Sequence, residues 1–291
     1  MANPMPESPE QQVESYLRSG EHDLTFLAWP GNDFLACARN GHAALSRALI
    51  AEVHARTPHA VVPEALAAMD AVAFTRGKVE PMVRGLFPAD EQATVLDVLG
   101  RSVVFLTPAT IDAVLEQMPW PSTAWDLANL YLEGFDAELL AEDAPRLLGL
   151  SQETTCYLSV AYFDAEGRFD DFLVHEAAHI FHNCKRGTIG LRETRRCEWL
   201  LEIDFAKRET FAYACEAYSR ICELGENPRA RRMLLSEHQQ GPMPPDGRVN
   251  ANEYLDILRE AVAARNGWKR ILQRCSPPVS RGAKKGDWHG G

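Results

Sequence analysis

The sequence predicts an α+β protein that is mostly helical, with a small mixed sheet. Three observations carry this. Apolar residues recur at helical spacing through most of the chain, as in HAALSRALIAEVHAR and DFAKRETFAYACEAYSRICELG. Few runs are rich in β-branched and aromatic residues, SVVFLT and CYLSVAYFD being the clearest. The chain has 291 residues and is 46% hydrophobic, enough for one large domain or two smaller ones around an ordinary core.

The elements follow in order. The first residues, MANPMPESP, are rich in proline and predict no regular structure. QQVESYLRS reads as a short helix. LTFLAW, PGND and FLACAR then read as strand, turn and strand, with Gly31 and Asn32 in the turn. Helical spacing governs HAALSRALIAEVHAR and most of residues 62 to 100, with breaks expected near Gly77 and Pro88. SVVFLT is a strand ended by Pro108. TIDAVLEQM and STAWDLANLYLEGF are helices separated by PWP. CYLSVAYFD is the clearest strand, with AEGR turning behind it. DFLVHEAAHIFHNCKRG predicts a helix with Asp170 at its N-cap, Asp171 in its first turn, and Lys185, Arg186 and Gly187 at its end. A second strong helix spans DFAKRETFAYACEAYSRICELG, and NEYLDILREAVAA forms a later one. Trp29, Trp120, Trp125 and Trp199 are expected in the core.

Charge and cysteine content narrow the functional classes. A formal charge of −11 argues against nucleic acid or an anionic membrane as the main partner. No apolar run approaches the length of a membrane span, and MANPMPESPEQQ lacks the basic and apolar regions of a secretory signal. Seven cysteines without a CxxC pair read as scattered thiols in a reducing compartment. The expectation is a cytoplasmic protein, with delivery as an effector equally compatible.

The run from Asp171 to Gly187 carries the chemistry. Phe172, Leu173, Val174, Ala177, Ala178, Ile180 and Phe181 leave no polar face on a helix, so the helix should be buried. Burying His175, Glu176 and His179 is costly unless each finds a partner. Positions i and i+4 share a face, so His175 and His179 point at one spot about 6 Å apart along the axis. Two imidazole nitrogens so placed reach one Zn²⁺, with Glu176 beside it to take a proton from water. His175-Glu176-Ala177-Ala178-His179 resembles the HExxH motif of the zincin metallopeptidases.

A catalytic zinc normally takes a third protein ligand. His182 lies about 60° off the face of the first pair and reads as a helix-end histidine bonding a carbonyl or orienting a neighbour. The metzincin pattern wants glycine at 182 and histidine at 185, where this chain has His182 and Lys185. Glu209 is the better candidate: it lies far enough downstream for a return helix, Ala212 would let the helices approach closely, and Phe205, Phe211 and Ala212 make its segment look buried. Glu216, on the same face two turns on, is the rival ligand or a carboxylate supporting a histidine. Glu193, Glu198 and Glu202 are in range, but no small residue follows them at helical spacing. Glu209-Thr210-Phe211-Ala212 resembles the ExxA motif of gluzincins, and is similar to the form found in the lethal-factor-like catalytic domain.

The resemblance implies a zinc metalloendopeptidase with one Zn²⁺ held by His175, His179 and Glu209, Glu176 as the general base, and an edge strand, assigned to CYLSVAYFD, that pairs with an extended peptide. Lethal-factor relatives place a tyrosine shortly before the third ligand. None occurs between Tyr162 and Tyr213 here, and Tyr213, Tyr218 and His238 are the candidates for stabilising the oxyanion. Outside that resemblance, a hairpin and helical region is expected over residues 1–100, which could select a substrate, dock a regulatory partner or pack as part of one extended peptidase domain. A zincin-like peptidase domain over 101–275 and a flexible tail over 276–291 follow. A protein or peptide is the implied substrate. The rival is a zincin-fold binding or regulatory protein without peptidase activity, against which the intact Glu176 argues. A self-inhibited enzyme is a further alternative, its cleft covered by the N-terminal half or by the C-terminal tail, with His289 or Cys275 as a blocking ligand.

Overall fold

The computed structural model describes residues 8–164, 167–194 and 197–278. Among these, twelve α-helices surround one small sheet, the α+β arrangement that the sequence pattern predicts. The AEGR turn lies partly outside the described residues, and the tail lies almost wholly outside them, His289 included.

The first helix, α1 (Pro9–Ser19), starts on a capping box. Ser8 Oγ accepts from Gln11 N–H, and the Gln11 side chain accepts from Ser8 N–H. No hairpin follows. FLACAR opens the long helix α2 (Phe34–Arg56), because Asp33 accepts from Ala36 N–H and caps it. A short apolar run does not separate strand from helix by period, and here the cap decides. After α3 (Glu64–Ala67), helix α4 (Ala71–Leu86) runs straight through Gly77 and Pro81. An interior glycine costs only about 1 kcal/mol, less than burial of Val79, Met82 and Val83 returns. The break expected near Pro88 does occur, before α5 (Ala89–Gly100).

Strand β1 (Val103–Phe105) leads to α6 (Ile111–Gln117) and α7 (Pro121–Gly134). Strand β2 (Gly149–Gln152), which has no counterpart in the sequence reading, turns at Glu153 and Thr154 into β3 (Thr155–Leu158). Glu153 takes the left-handed φ of 52° that this turn needs. CYLSVAYFD is therefore strand only to Leu158, then a 3₁₀ turn over Val160–Asp164. The sheet order is β1-β3-β2, with β3 parallel to β1 and antiparallel to β2. The edge next to the histidine helix is thus β2, and the expected edge strand β3 lies in the middle.

The remaining helices are α8 (Phe172–Asn183), α9 (Arg208–Leu224), α10 (Pro228–His238), α11 (Ala251–Ala263) and α12 (Gly267–Cys275). Two apolar cores hold the molecule. The larger joins α4 and α5 to β3, α8, α9, α11 and α12. The smaller joins α1 and α2 to α6 and α7. The division between cores therefore does not follow the division expected near residue 100. Trp29 and Trp125 are buried, whereas Trp120, expected in the core, is 62% exposed at the start of α7. No helix among the described residues is long and apolar enough to cross a membrane.

Candidate metal centre

Helix α8 is capped one residue later than its sequence suggests. Asp171, not Asp170, accepts from Val174 N–H. The helix is buried on all sides from Leu173 to His182, as its lack of a polar face requires. Its neighbour α9 presents Phe211, Ala212, Ala214 and Cys215, all fully buried, and Phe181 meets Phe211 edge to face at 6.5 Å. Phe205 does not share that burial. It sits just before α9 and is 82% exposed.

Three side chains from these two helices converge. His175 Nε2 and His179 Nε2 are 3.2 Å apart. Glu209 Oε2 lies 3.8 Å from the first and 3.6 Å from the second. Two ligands that each sit about 2.1 Å from one tetrahedral ion stand about 3.4 Å from one another. These separations therefore fit a single small cation, and His175, His179 and Glu209 form a group that could hold a metal ion.

The partners behind the ligands fix which nitrogen faces the group. His175 Nδ1 is 3.1 Å from Glu216 Oε2, so the ring donates there and leaves Nε2 as the free lone pair. Glu216 Oε1 also accepts from Asp171 N–H at 2.7 Å, tying the start of α8 to α9. Glu216 therefore stands behind a histidine and Glu209 beside both. His179 Nδ1 is 3.0 Å from His182 Nε2, and His182 Nδ1 is 3.0 Å from Asn183 Oδ1. Burial, with His179 and Arg208 nearby, pushes the His182 pKa down to about 3. His182 thus stays neutral and accepts from His179, which leaves His179 Nε2 to face the group.

The field at the centre favours positive charge. Burial opposes protonation of His175, yet the Glu216, Glu176 and Glu209 carboxylates outweigh it and raise its pKa. Burial likewise opposes ionisation of Glu209, but His179, His175 and Arg248 outweigh it and hold its pKa below the usual range. Burial raises that of Glu216. A charge distribution of this kind is compatible with a cation held between the imidazoles.

Glu176 turns toward the sheet. A Cβ added at Gly149 would come within 2.7 Å of Glu176 Cγ and 3.2 Å of its Oε1, so the start of β2 can approach the carboxylate only as glycine. Together, β2, α8 and α9 line a cleft of about 960 Å³, within the range of small-ligand sites. Tyr213 also lines it. Its ring meets His175 edge-on at 4.4 Å, and burial with the Glu216 and Glu209 charges pushes its pKa up to about 12.

The other candidates lie elsewhere. Tyr218 packs on Trp268 and over Gly267. His238 bonds Tyr254 Oη at 2.7 Å and packs on Phe169. Neither lines the cleft. Glu193 accepts from Gly187 N–H, Glu198 pairs with Lys185, and Glu202 accepts from Glu198 and Trp199. Cys275 is fully buried at the end of α12.

Several residues around the site carry no sequence signal of their own. Lys78 of α4 lies 3.0 Å from Asp171 Oδ2, an ion pair at an angle outside hydrogen-bond geometry, and it also reaches Glu223 at 3.2 Å. Arg248 and Asp246 come from the loop before α11. Arg248 pairs with Glu209 Oε1 at 3.2 Å, the oxygen turned away from the histidines. No protein-family model matches the chain, and neither the curated proteins nor the solved structures compared with it give a significant match.

Proposed function

We propose that this protein is a zinc-dependent metallopeptidase of the gluzincin type. The observation that carries the reading is the mutual spacing of His175 Nε2, His179 Nε2 and Glu209 Oε2, at 3.2, 3.8 and 3.6 Å. Two imidazoles and one carboxylate, leaving a fourth position open, are a donor set suited to catalytic zinc. The chemistry that such an ion supplies when bound is Lewis-acid activation of water and of a carbonyl.

The chain's own groups have separate tasks. Glu176 Oε1 or Oε2 takes the proton of the attacking water and passes it to the departing amine. Tyr213 keeps its phenolic proton and offers it from the cleft wall to the developing oxyanion. Glu216 and the His182–Asn183 pair hold the two rings in their orientations. The free edge of β2 offers main-chain groups to an extended peptide, and Gly149 brings that edge close to Glu176.

The test is incubation of the purified protein with a diverse peptide library, with and without a zinc chelator. Chelator-sensitive cleavage by the wild-type chain, absent from Glu176→Gln, supports the reading. Binding of zinc without cleavage of any peptide would leave a zincin-shaped binding protein instead.

A further inference from the structure

Three arginines reach the cleft: Arg146, Arg208 and Arg248. Two are matched. Arg248 pairs with Asp246 and with Glu209, and Arg146 pairs with Glu133 at 3.3 Å. Arg208, at the first turn of α9, is different. Among the described residues no carboxylate pairs with it, and its Nε is shut off from solvent with nothing to donate to. The adjacent Glu209 cannot serve, because its oxygens face the histidines and Arg248. The guanidinium instead lies 5.1 Å from the centre of the Phe205 ring. In a chain of net charge −11, a cation without a counter-charge at the cleft wall stands out.

We infer that Arg208 is a specificity-determining residue that takes a carboxylate of the substrate. This rests on the peptidase reading for the carboxylate's carrier being a peptide. Stacking occupies one face of a guanidinium and leaves its edge open to donate, and a carboxylate is the acceptor that fits that edge with two parallel bonds. The open edge is the Nη pair, which has no acceptor among the described residues and is not shut off from solvent as Nε is, so an incoming carboxylate can bridge it without displacing another partner. His182, beyond His179 on α8, also lines the cleft and is close enough to Arg208 to feel its charge. The recognised group therefore sits to one side of the bond to be cut. It is either an aspartate or glutamate side chain or a free C-terminus.

Glu176→Gln protein, which binds without turnover, separates these cases. It is titrated with labelled peptides that carry glutamate, glutamine or lysine at each position in turn, and with free or amidated C-termini, while the wild type is assayed for cleavage of the same peptides. The expected result is a preference of about 10- to 100-fold for one acidic position or for the free terminus, whichever series shows it identifying the source. Adding Arg208→Gln should bring that ratio close to one with zinc content retained, and Arg208→Glu should turn it toward lysine. A ratio unmoved by Arg208→Gln, or no acidic preference, overturns the inference. If the acidic preference depends on Arg208 but the wild type cuts none of the bound peptides, the peptidase reading falls and the Arg208 assignment stands. Absence of all peptide binding overturns both.

Discussion

The two cores bury polar side chains in opposite ways. In the smaller core the polar groups bond the backbone. Tyr16 donates to the Pro121 carbonyl at 2.7 Å, Trp125 to the Leu17 carbonyl at 3.0 Å, and Asn129 both accepts from Leu140 N–H and donates to the Trp125 carbonyl. Each finds a main-chain partner and points nowhere in common. In the larger core His175, His179 and Glu209 point at one another, with Glu216 and His182 behind them. Backbone-satisfied groups hold elements together. Groups that converge with lone pairs to spare could hold a metal ion.

Mutations that separate binding, chemistry and packing can break that contrast. Glu176→Gln should have the largest effect, reducing peptide turnover by about 10²- to 10⁴-fold or more while elemental analysis finds zinc unchanged. Loss of zinc in this variant would instead make Glu176 a ligand. His179→Ala and Glu209→Ala should each lose the metal, and full occupancy in Glu209→Ala would remove that residue from the ligand set. Glu216→Gln should weaken zinc binding by about 10- to 100-fold, read by competition with a chromophoric chelator. An unchanged affinity would reduce Glu216 to a packing role. In the other core, Leu49→Ala should cost about 2–5 kcal/mol in denaturant unfolding, with zinc affinity of the folded protein unaltered. Tyr16→Phe should cost about 0.5–1.5 kcal/mol, the ordinary worth of one satisfied hydrogen bond.

What could be read from sequence was what is local. His175, Glu176 and His179 lie within one turn and a half of one helix, so their spacing alone states their shared direction. Glu209 required only that a second helix return, and the small Ala212 beside it was a usable sign. Strand β2 was not legible. GLSQ carries no β-branched residue, and its turn uses Glu153 where a glycine or asparagine would have marked it. The false hairpin at Phe34 shows the reverse failure, a run whose apolar pattern fits either state until Asp33 caps it. The cleft arginines were illegible for a different reason. Arg146, Arg208 and Arg248 come from three separate segments, and only the fold decides which of them keeps a free charge. Tyr218 and His238 were near the site in sequence, but helical rotation and the packing of α12 and α11 turn them away from the cleft.

Lys78 has a consequence for how such a molecule can be altered or inherited. The start of the histidine helix is charge-balanced by a residue from far earlier in the chain, through Asp171. The same early helix supplies Val79, Met82 and Val83 to the floor on which α8 and α9 rest. The histidine helix and its return partner are therefore not a portable cassette. Transplanted without α4, they would carry an unbalanced carboxylate and an uncovered apolar face into their new host.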